Sequence, residues 1–262
     1  MSISVVFVGK NLILNGYPFV ESLLSVLPLA DEFIISEGYS DDDSLNYLWK
    51  FKKKYETRER PIFVYQDEWP DRSYHGEAIT YVSERAIQKA SKKWVLYLQA
   101  DEIWHEDMIP YMLDIASNQN FNFNSISFPY FHFINSWEPS KDTKYYQEAM
   151  RFVRNDRGIK LLGDAWNFIT PGPADPIYAA GYSPNRIFHM NWCLPENNDI
   201  KHIEHAKLYE NITEYQDIMK NSLNNLKEEK KPYPISDDFP IERFPELAKR
   251  FVGKVKYELP EI

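Results

Sequence analysis

The chain has 262 residues, enough for one large α/β domain with a sizeable core or for two small ones. Hydrophobic residues make up 44% and aromatics 16%, spread along its whole length, which excludes disorder except at the ends. The net charge of -9 excludes a nonspecific nucleic-acid binder, and the single cysteine, Cys193, excludes an intramolecular disulfide or a Cys-based zinc cluster.

Ile3 to Val8 reads as a strand, Phe19 to Leu27 as a helix, Glu32 to Ser36 as a strand and Leu45 to Tyr55 as a basic-faced helix. Ile62 to Tyr65 is a strand, Ala78 to Ala90 a helix, Trp94 to Gln99 a strand and Met108 to Ala116 a helix. Alternation of this kind predicts a Rossmann-like α/β fold, a mostly parallel sheet with helices on both faces. The rhythm then breaks. Ser125 to Phe133 and Glu148 to Val153 are strand-like, while Gly163 to Gly181, rich in Gly, Pro and aromatics, reads as long loops in an irregular C-terminal half. Ile200 to Lys227 is helical in pattern. We expect one domain over 1–227 and an extension over 228–262, packed on the core or partly mobile, with a short helix from Phe244 to Val255. The N-terminus lacks the features of a signal peptide, and no apolar run approaches the roughly 20 residues that span a bilayer. The expectation is a cytoplasmic protein with no transmembrane segment.

Ligands of parallel sheets bind beyond the carboxyl ends of the strands. Two such ends carry acidic residues. Trp94-Val95-Leu96-Tyr97-Leu98 runs unbroken into Gln99-Ala100-Asp101-Glu102, and the second strand runs into Glu37-Gly38-Tyr39-Ser40-Asp41-Asp42-Asp43-Ser44. Each reads as a capped acidic turn or as part of a ligand site on that edge of the sheet, and Asp101 and Glu102 also as hard-oxygen ligands for Mg²⁺ or Mn²⁺. The first strand leads into Gly9-Lys10-Asn11, which is neither a GxGxxG nor a P-loop. A diphosphate here would need another counter-charge, and a divalent cation at Asp101 is one.

Val5 to Asn11, the Glu37 to Ser44 turn and Gln99-Ala100-Asp101-Glu102 together resemble, in order and spacing, the nucleotide-sugar domain of family-2 glycosyltransferases of the GT-A fold. Phe128 to Phe133, Tyr146 to Arg151, Gly163-Asp164-Ala165 and Phe188 to Trp192 extend the resemblance, over about residues 3 to 215, toward a subgroup with a QADE variant of the DxD motif. The resemblance implies transfer of a sugar from a nucleoside-diphosphate donor to a glycan, protein or small-molecule acceptor, inverting and dependent on Mn²⁺ or Mg²⁺. It places Lys10, Asn11, Glu37, Asp42 and Gln99 at the nucleotide, Asp101 and His189 on the metal, and Asp164 as the base. Gln99 stands where the family has the leading Asp of DxD and brings no charge.

Bland readings stand beside these. Asp164 is equally a loop-capping Asp and His189 a hydrogen-bonded histidine. His202 and His205, three apart beside Lys201 and Lys207, read as a solvated helix face more readily than as zinc ligands, and His132 as a core histidine. Arg151 and Glu148 read as a structural pair or a phosphate contact, and His75 and His105 as flanks of site loops. Two further functions are weighed: a sugar-phosphate nucleotidyltransferase, for which the loop after the first strand is too short, and a catalytically degenerate nucleotide- or carbohydrate-binding module, suggested by Gln99.

Overall fold

A computed structural model describes residues 2–70, 77–118, 123–141, 146–155, 158–169, 177–179, 186–209, 212–227 and 229–262. The first half follows the expected alternation: β1 (Ile3–Gly9), α1 (Phe19–Ser25), β2 (Glu32–Glu37), α2 (Ser44–Tyr55), β3 (Ile62–Gln66), α3 (Glu77–Ile87) and β4 (Trp94–Leu98). A short β5 (Glu102–Trp104) then precedes α4 (Met108–Ser117). The second half holds β6 (Ser125–Ile134), β7 (Glu148–Arg154), β8 (Lys160–Leu162), β9 (Asn167–Ile169), β10 (Ile177–Ala179) and β11 (Ile187–Trp192), followed by α5 (Pro195–Tyr209), α6 (Ile212–Asn225) and α7 (Glu246–Lys249).

The main sheet runs β3-β2-β1-β4-β7-β6-β11-β5, with β10 on β6. Strands β3, β2, β1 and β4 are parallel, as are β6, β10 and β11; β7 and β5 are antiparallel to their neighbours. The fold is the mixed α/β arrangement predicted. Period-two alternation divides each strand between two cores. Ile3, Val5 and Phe7 with Trp94, Leu96 and Leu98 face the side packed by α1, α2 and α4, while Val6, Val8, Val95 and Tyr97 face Val82 and Ala86 of α3. Burial on both faces explains why these strands read as unbroken apolar runs.

Three differences from the expectation have local causes. The first helix ends at Ser25 because Pro28 has no N–H to continue it, and Leu27–Leu29 forms a 3-10 turn instead. The acidic segment after β4 turns into β5, which pairs antiparallel with β11 so that Glu102 lies opposite His189. The long helical pattern starts earlier, at Pro195, and is two helices. In the tail, only Glu246–Lys249 is α-helical, yet Phe239, Phe244, Phe251 and Tyr257 are buried in the larger core. The Tyr257 hydroxyl donates to Glu21 at 2.5 Å and Arg250 pairs with the same carboxylate at 2.9 Å, tying the tail to α1. Among the described residues no helix is long and apolar enough to cross a membrane.

Candidate active site

A cavity of about 740 Å³ opens at the carboxyl ends of β1 and β4. Val8, Gly9 and Lys10 from β1 and its loop meet Tyr97, Gln99, Ala100 and Asp101 from β4 and its turn; Asp164, His132 and His189 close it from the second half. Four of the residues expected at the site, Lys10, Gln99, Asp101 and His189, therefore converge with Asp164.

Asp101 and His189 are brought together by backbone pairing. The Met190 N–H donates to the Asp101 carbonyl at 2.8 Å, and His189 Nε2 stands 3.3 Å from Asp101 Oδ2. The other imidazole nitrogen, Nδ1, is 2.9 Å from His132 Nδ1, and His132 Nε2 is 2.6 Å from the Tyr146 carbonyl. A carbonyl only accepts, so His132 Nε2 carries its proton; its Nδ1 then accepts from His189 Nδ1–H. This relay fixes the His189 ring and leaves Nε2 as the atom facing Asp101. Burial would raise the Asp101 pKa, but His189 outweighs it and holds the carboxyl below its ordinary value. Burial would lower His189, but Asp101 outweighs it and raises the imidazole. His132 is pushed down to about 4 by burial and by its histidine neighbour, and stays neutral.

A cation fits this pair. Two ligands at right angles on an ion, each at roughly 2.1 Å, lie roughly 3.0 Å apart, close to the observed separation. The relay through His132 is the outer-shell support that a ligating histidine needs. Among the described residues no group of three or more His, Cys, Asp or Glu could hold a metal, so a cation here would depend on oxygens supplied by a ligand.

Gln99 joins the two halves of the site. Its Oε1 accepts from Arg151 Nη2 at 3.2 Å while its Nε2 donates to the Asp164 carbonyl at 3.4 Å. A carboxylate could not do both, which gives the amide a physical reason at this position. Asp164 is held on either side as well: Thr80 Oγ1 donates to the Gly163 carbonyl at 2.7 Å and accepts from the Ala165 N–H at 3.2 Å. Gly163 and Ala165 both have positive φ, 59° and 62°, so the loop bends sharply around the aspartate.

Glu37, Asp42 and Asn11 are not among the residues lining the cavity. Glu37 is fully buried, and its carboxylate accepts from the Tyr39 and Ser40 N–H groups at 3.1 and 2.7 Å and from Gln66 Nε2 at 2.9 Å. Asp42 accepts from the Leu14 N–H at 2.7 Å and caps Ser44 at 2.9 Å. Asn11 Oδ1 accepts from the Asp41 N–H at 2.8 Å. Of these three side chains, expected at the nucleotide, Asp42 and Asn11 link the β1 and β2 loops, while Glu37 braces its own loop and β3. Gly38 is needed for close approach and not for a positive φ: a Cβ there would stand 2.4 Å from Trp69 Nε1, and the left-handed residue of the turn is Tyr39. Glu102 pairs with Arg151 (2.8 Å, both side chains fully buried), displacing the expected Arg151 and Glu148 pair.

Two site residues escape sequence reasoning. His132, flanked by phenylalanines, looks like core, and only its cross-strand register with His189 reveals it. Lys201 looks solvated beside His202, yet it is 2% exposed and lines the cavity. His202 stacks on Trp192 at 4.6 Å. His105 lies near Asp107, at 3.6 Å, and His75 is outside the described residues.

Fold and site together define a mixed α/β protein with a crevice at the carboxyl ends of β1 and β4 that brings Asp101, Asp164, His189 and Lys201 to one cavity. No protein-family model matches the chain, and no curated protein matches it either. Among solved structures it is similar to Staphylococcus aureus TarS: 14% identity to the 1–349 fragment over 86% of this chain and 71% of that one, TM-score 0.45. Against the longer TarS structure the values are 14%, 96% and 50%, with a TM-score of 0.48. Glucosyl-3-phosphoglycerate synthase from Mycobacterium tuberculosis, in complex with Mn²⁺, UDP and glucosyl-3-phosphoglycerate, is 21% identical over 50% of this chain and 44% of its own, TM-score 0.33. Likenesses this distant leave function to the residues of the site.

Proposed function

We propose that the protein is a glycosyltransferase that moves a sugar from a nucleoside diphosphate to an acceptor hydroxyl with inversion, using Mn²⁺ or Mg²⁺. The observation that carries this reading is the Asp101 and His189 pair, 3.3 Å apart, with the second imidazole nitrogen fixed by His132, in one cavity with Asp164. TarS has also been solved with UDP-GlcNAc and the mycobacterial synthase with UDP and Mn²⁺, which makes UDP the first nucleotide to try.

When bound, the cation supplies positive charge to the diphosphate as it departs. Asp101 Oδ2 and His189 Nε2 would hold it, and imidazole favours Mn²⁺ over Mg²⁺. Asp164 takes the proton from the acceptor hydroxyl as the new bond to the anomeric carbon forms; the bond to the diphosphate oxygen breaks and its electron pair leaves with the diphosphate. Gln99 keeps Asp164 in register with the carboxyl end of β4, and Lys10 lines the cavity at the end of β1. Glu37, Asp42 and Asn11 serve by holding that edge rigid.

Calorimetry should show UDP or another nucleoside diphosphate binding in a manner that requires Mn²⁺ or Mg²⁺. No binding to any nucleotide with Mn²⁺ present would sink the proposal. Asp164→Asn should retain that binding and lose turnover of the matching nucleotide sugar by roughly 10²–10⁴-fold, the range for a general base; undiminished turnover would remove Asp164 from that role.

A further inference from the structure

Lys201, on α5, is a buried cation with no carboxylate in ion-pair contact among the described residues. Its ammonium donates to the Asn191 carbonyl and lies 4.6 Å from the centroid of the Tyr17 ring and 5.8 Å from that of Trp192. No ion pair joins it to an acid among the described residues, whereas Lys230 pairs with Asp199 at 2.9 Å and Lys92 approaches Glu32 at 3.9 Å. Lysines are almost never fully buried unless paired, because stripping water from an ammonium is costly. The cost shows in the lysine itself: burial pulls its pKa down to about 8, with Cys193 and Asp101 only partly opposing. One carbonyl satisfies one of three N–H donors, which leaves capacity for more. The wall it occupies is that of the cavity containing Asp101, His189 and Asp164, so the missing counter-charge has a place to come from.

We infer that Lys201 is a phosphate-binding residue: its ammonium, buried in the cavity wall with no ion-paired carboxylate among the described residues, receives a phosphoryl oxygen of the nucleoside diphosphate. The inference rests on the proposed function and adds to it a fixed charge from the protein beside the cation at Asp101 and His189. Lysine suits this position as a compact point charge, and the Tyr17 and Trp192 rings, which line the same cavity, face its ammonium.

The test measures binding of UDP and of uridine, with MnCl₂ and with EDTA, to wild type and to Lys201→Met, Lys201→Gln and Lys201→Arg. Lys201→Met and Lys201→Gln should weaken UDP roughly 10- to 100-fold, the strength of a hydrogen bond to a charged group, with uridine unchanged; Lys201→Arg should restore most of the loss. The ligand-free Lys201→Met protein should melt at or above the wild-type temperature, since an apolar side chain has no ammonium to desolvate. A merely structural lysine would give the opposite: a lower melting temperature and equal losses for UDP and uridine. UDP losing no more than uridine overturns the assignment while leaving the proposed function standing. A loss confined to inorganic phosphate added to the UDP complex overturns it in favour of a phosphorylated acceptor. Absence of nucleotide binding in the wild type overturns the proposed function, and this inference with it.

Discussion

Replacing Arg151 by Met tests what holds the Gln99 to Glu102 segment in place. The guanidinium donates from Nε to both Glu102 oxygens at 2.9 and 3.2 Å, from Nη1 to the Met150 and Trp166 carbonyls at 3.0 Å each, and from Nη2 to Gln99 Oε1 at 3.2 Å. The Tyr97 and Tyr130 rings flank it, their centroids at 5.5 and 5.6 Å. Methionine keeps much of the volume, so a cavity is a minor part of the effect. The main part is the Glu102 carboxylate, left fully buried with, among the described residues, only the Tyr130 hydroxyl (2.7 Å) and the Gln99 N–H (3.4 Å) to serve it. Removing one partner of a buried pair costs about 3–5 kcal/mol. In a protein of this size each kcal/mol lowers the melting temperature by roughly 2–4 °C, so a fall on the order of 10 °C is expected. Urea unfolding followed by tryptophan fluorescence should show the midpoint lowered with the slope unchanged. Adding Glu102→Gln removes the stranded charge and keeps an acceptor for Tyr130, so the double variant should recover much of the loss. A loss below about 1 kcal/mol, or a double variant no better than Arg151→Met alone, would refute the view that a buried ion pair organises this segment.

Three other outcomes are expected from the geometry. His189 is raised by Asp101, so its stabilisation is complete below its ordinary value of 6.5 and fades as pH climbs through the raised value; Asp101 is lowered, so its share is complete above 3.8 and fades in acid. In EDTA, wild type should therefore exceed Asp101→Asn in melting temperature most between pH 4 and 6.5, and a difference constant to pH 9 would contradict the pairing. Gly38→Ala would place a Cβ 2.4 Å from Trp69 Nε1 and 2.8 Å from Lys10 Cβ, displacing a wall of the cavity. It should cost about 1–3 kcal/mol by overpacking and reduce nucleotide affinity in calorimetry, and unchanged affinity would separate Trp69 from the ligand. Phe244→Ala empties a position 1% exposed, with the Phe133 and Phe239 rings at 5.2 Å; a loss of about 3–5 kcal/mol in urea is expected, whereas a loss below 1 kcal/mol would show the tail contributes little.

The parallel half of the sheet is legible in the order of residues alone. Unbroken apolar strands alternating with amphipathic helices have one good solution, because each strand must be covered on both faces and each crossover must be right-handed. Asp101, Asp164 and His189 are singled out by resemblance to an ordered set of family motifs, and the fold brings them to one cavity. Pairing at a distance leaves no such mark. The antiparallel contact of β5 with β11 sets Glu102 opposite His189, and the parallel pairing of β11 with β6 makes His132 the neighbour of that ring. The same assembly turns Glu37 and Asp42 inward to satisfy N–H groups of their own loops, and carries Lys201 on α5 into the cavity wall. Carboxylates and lysines look alike in a sequence whether they meet water, a backbone or a ligand. The folded arrangement decides among the three, by fixing which partner is within reach and how much water is excluded.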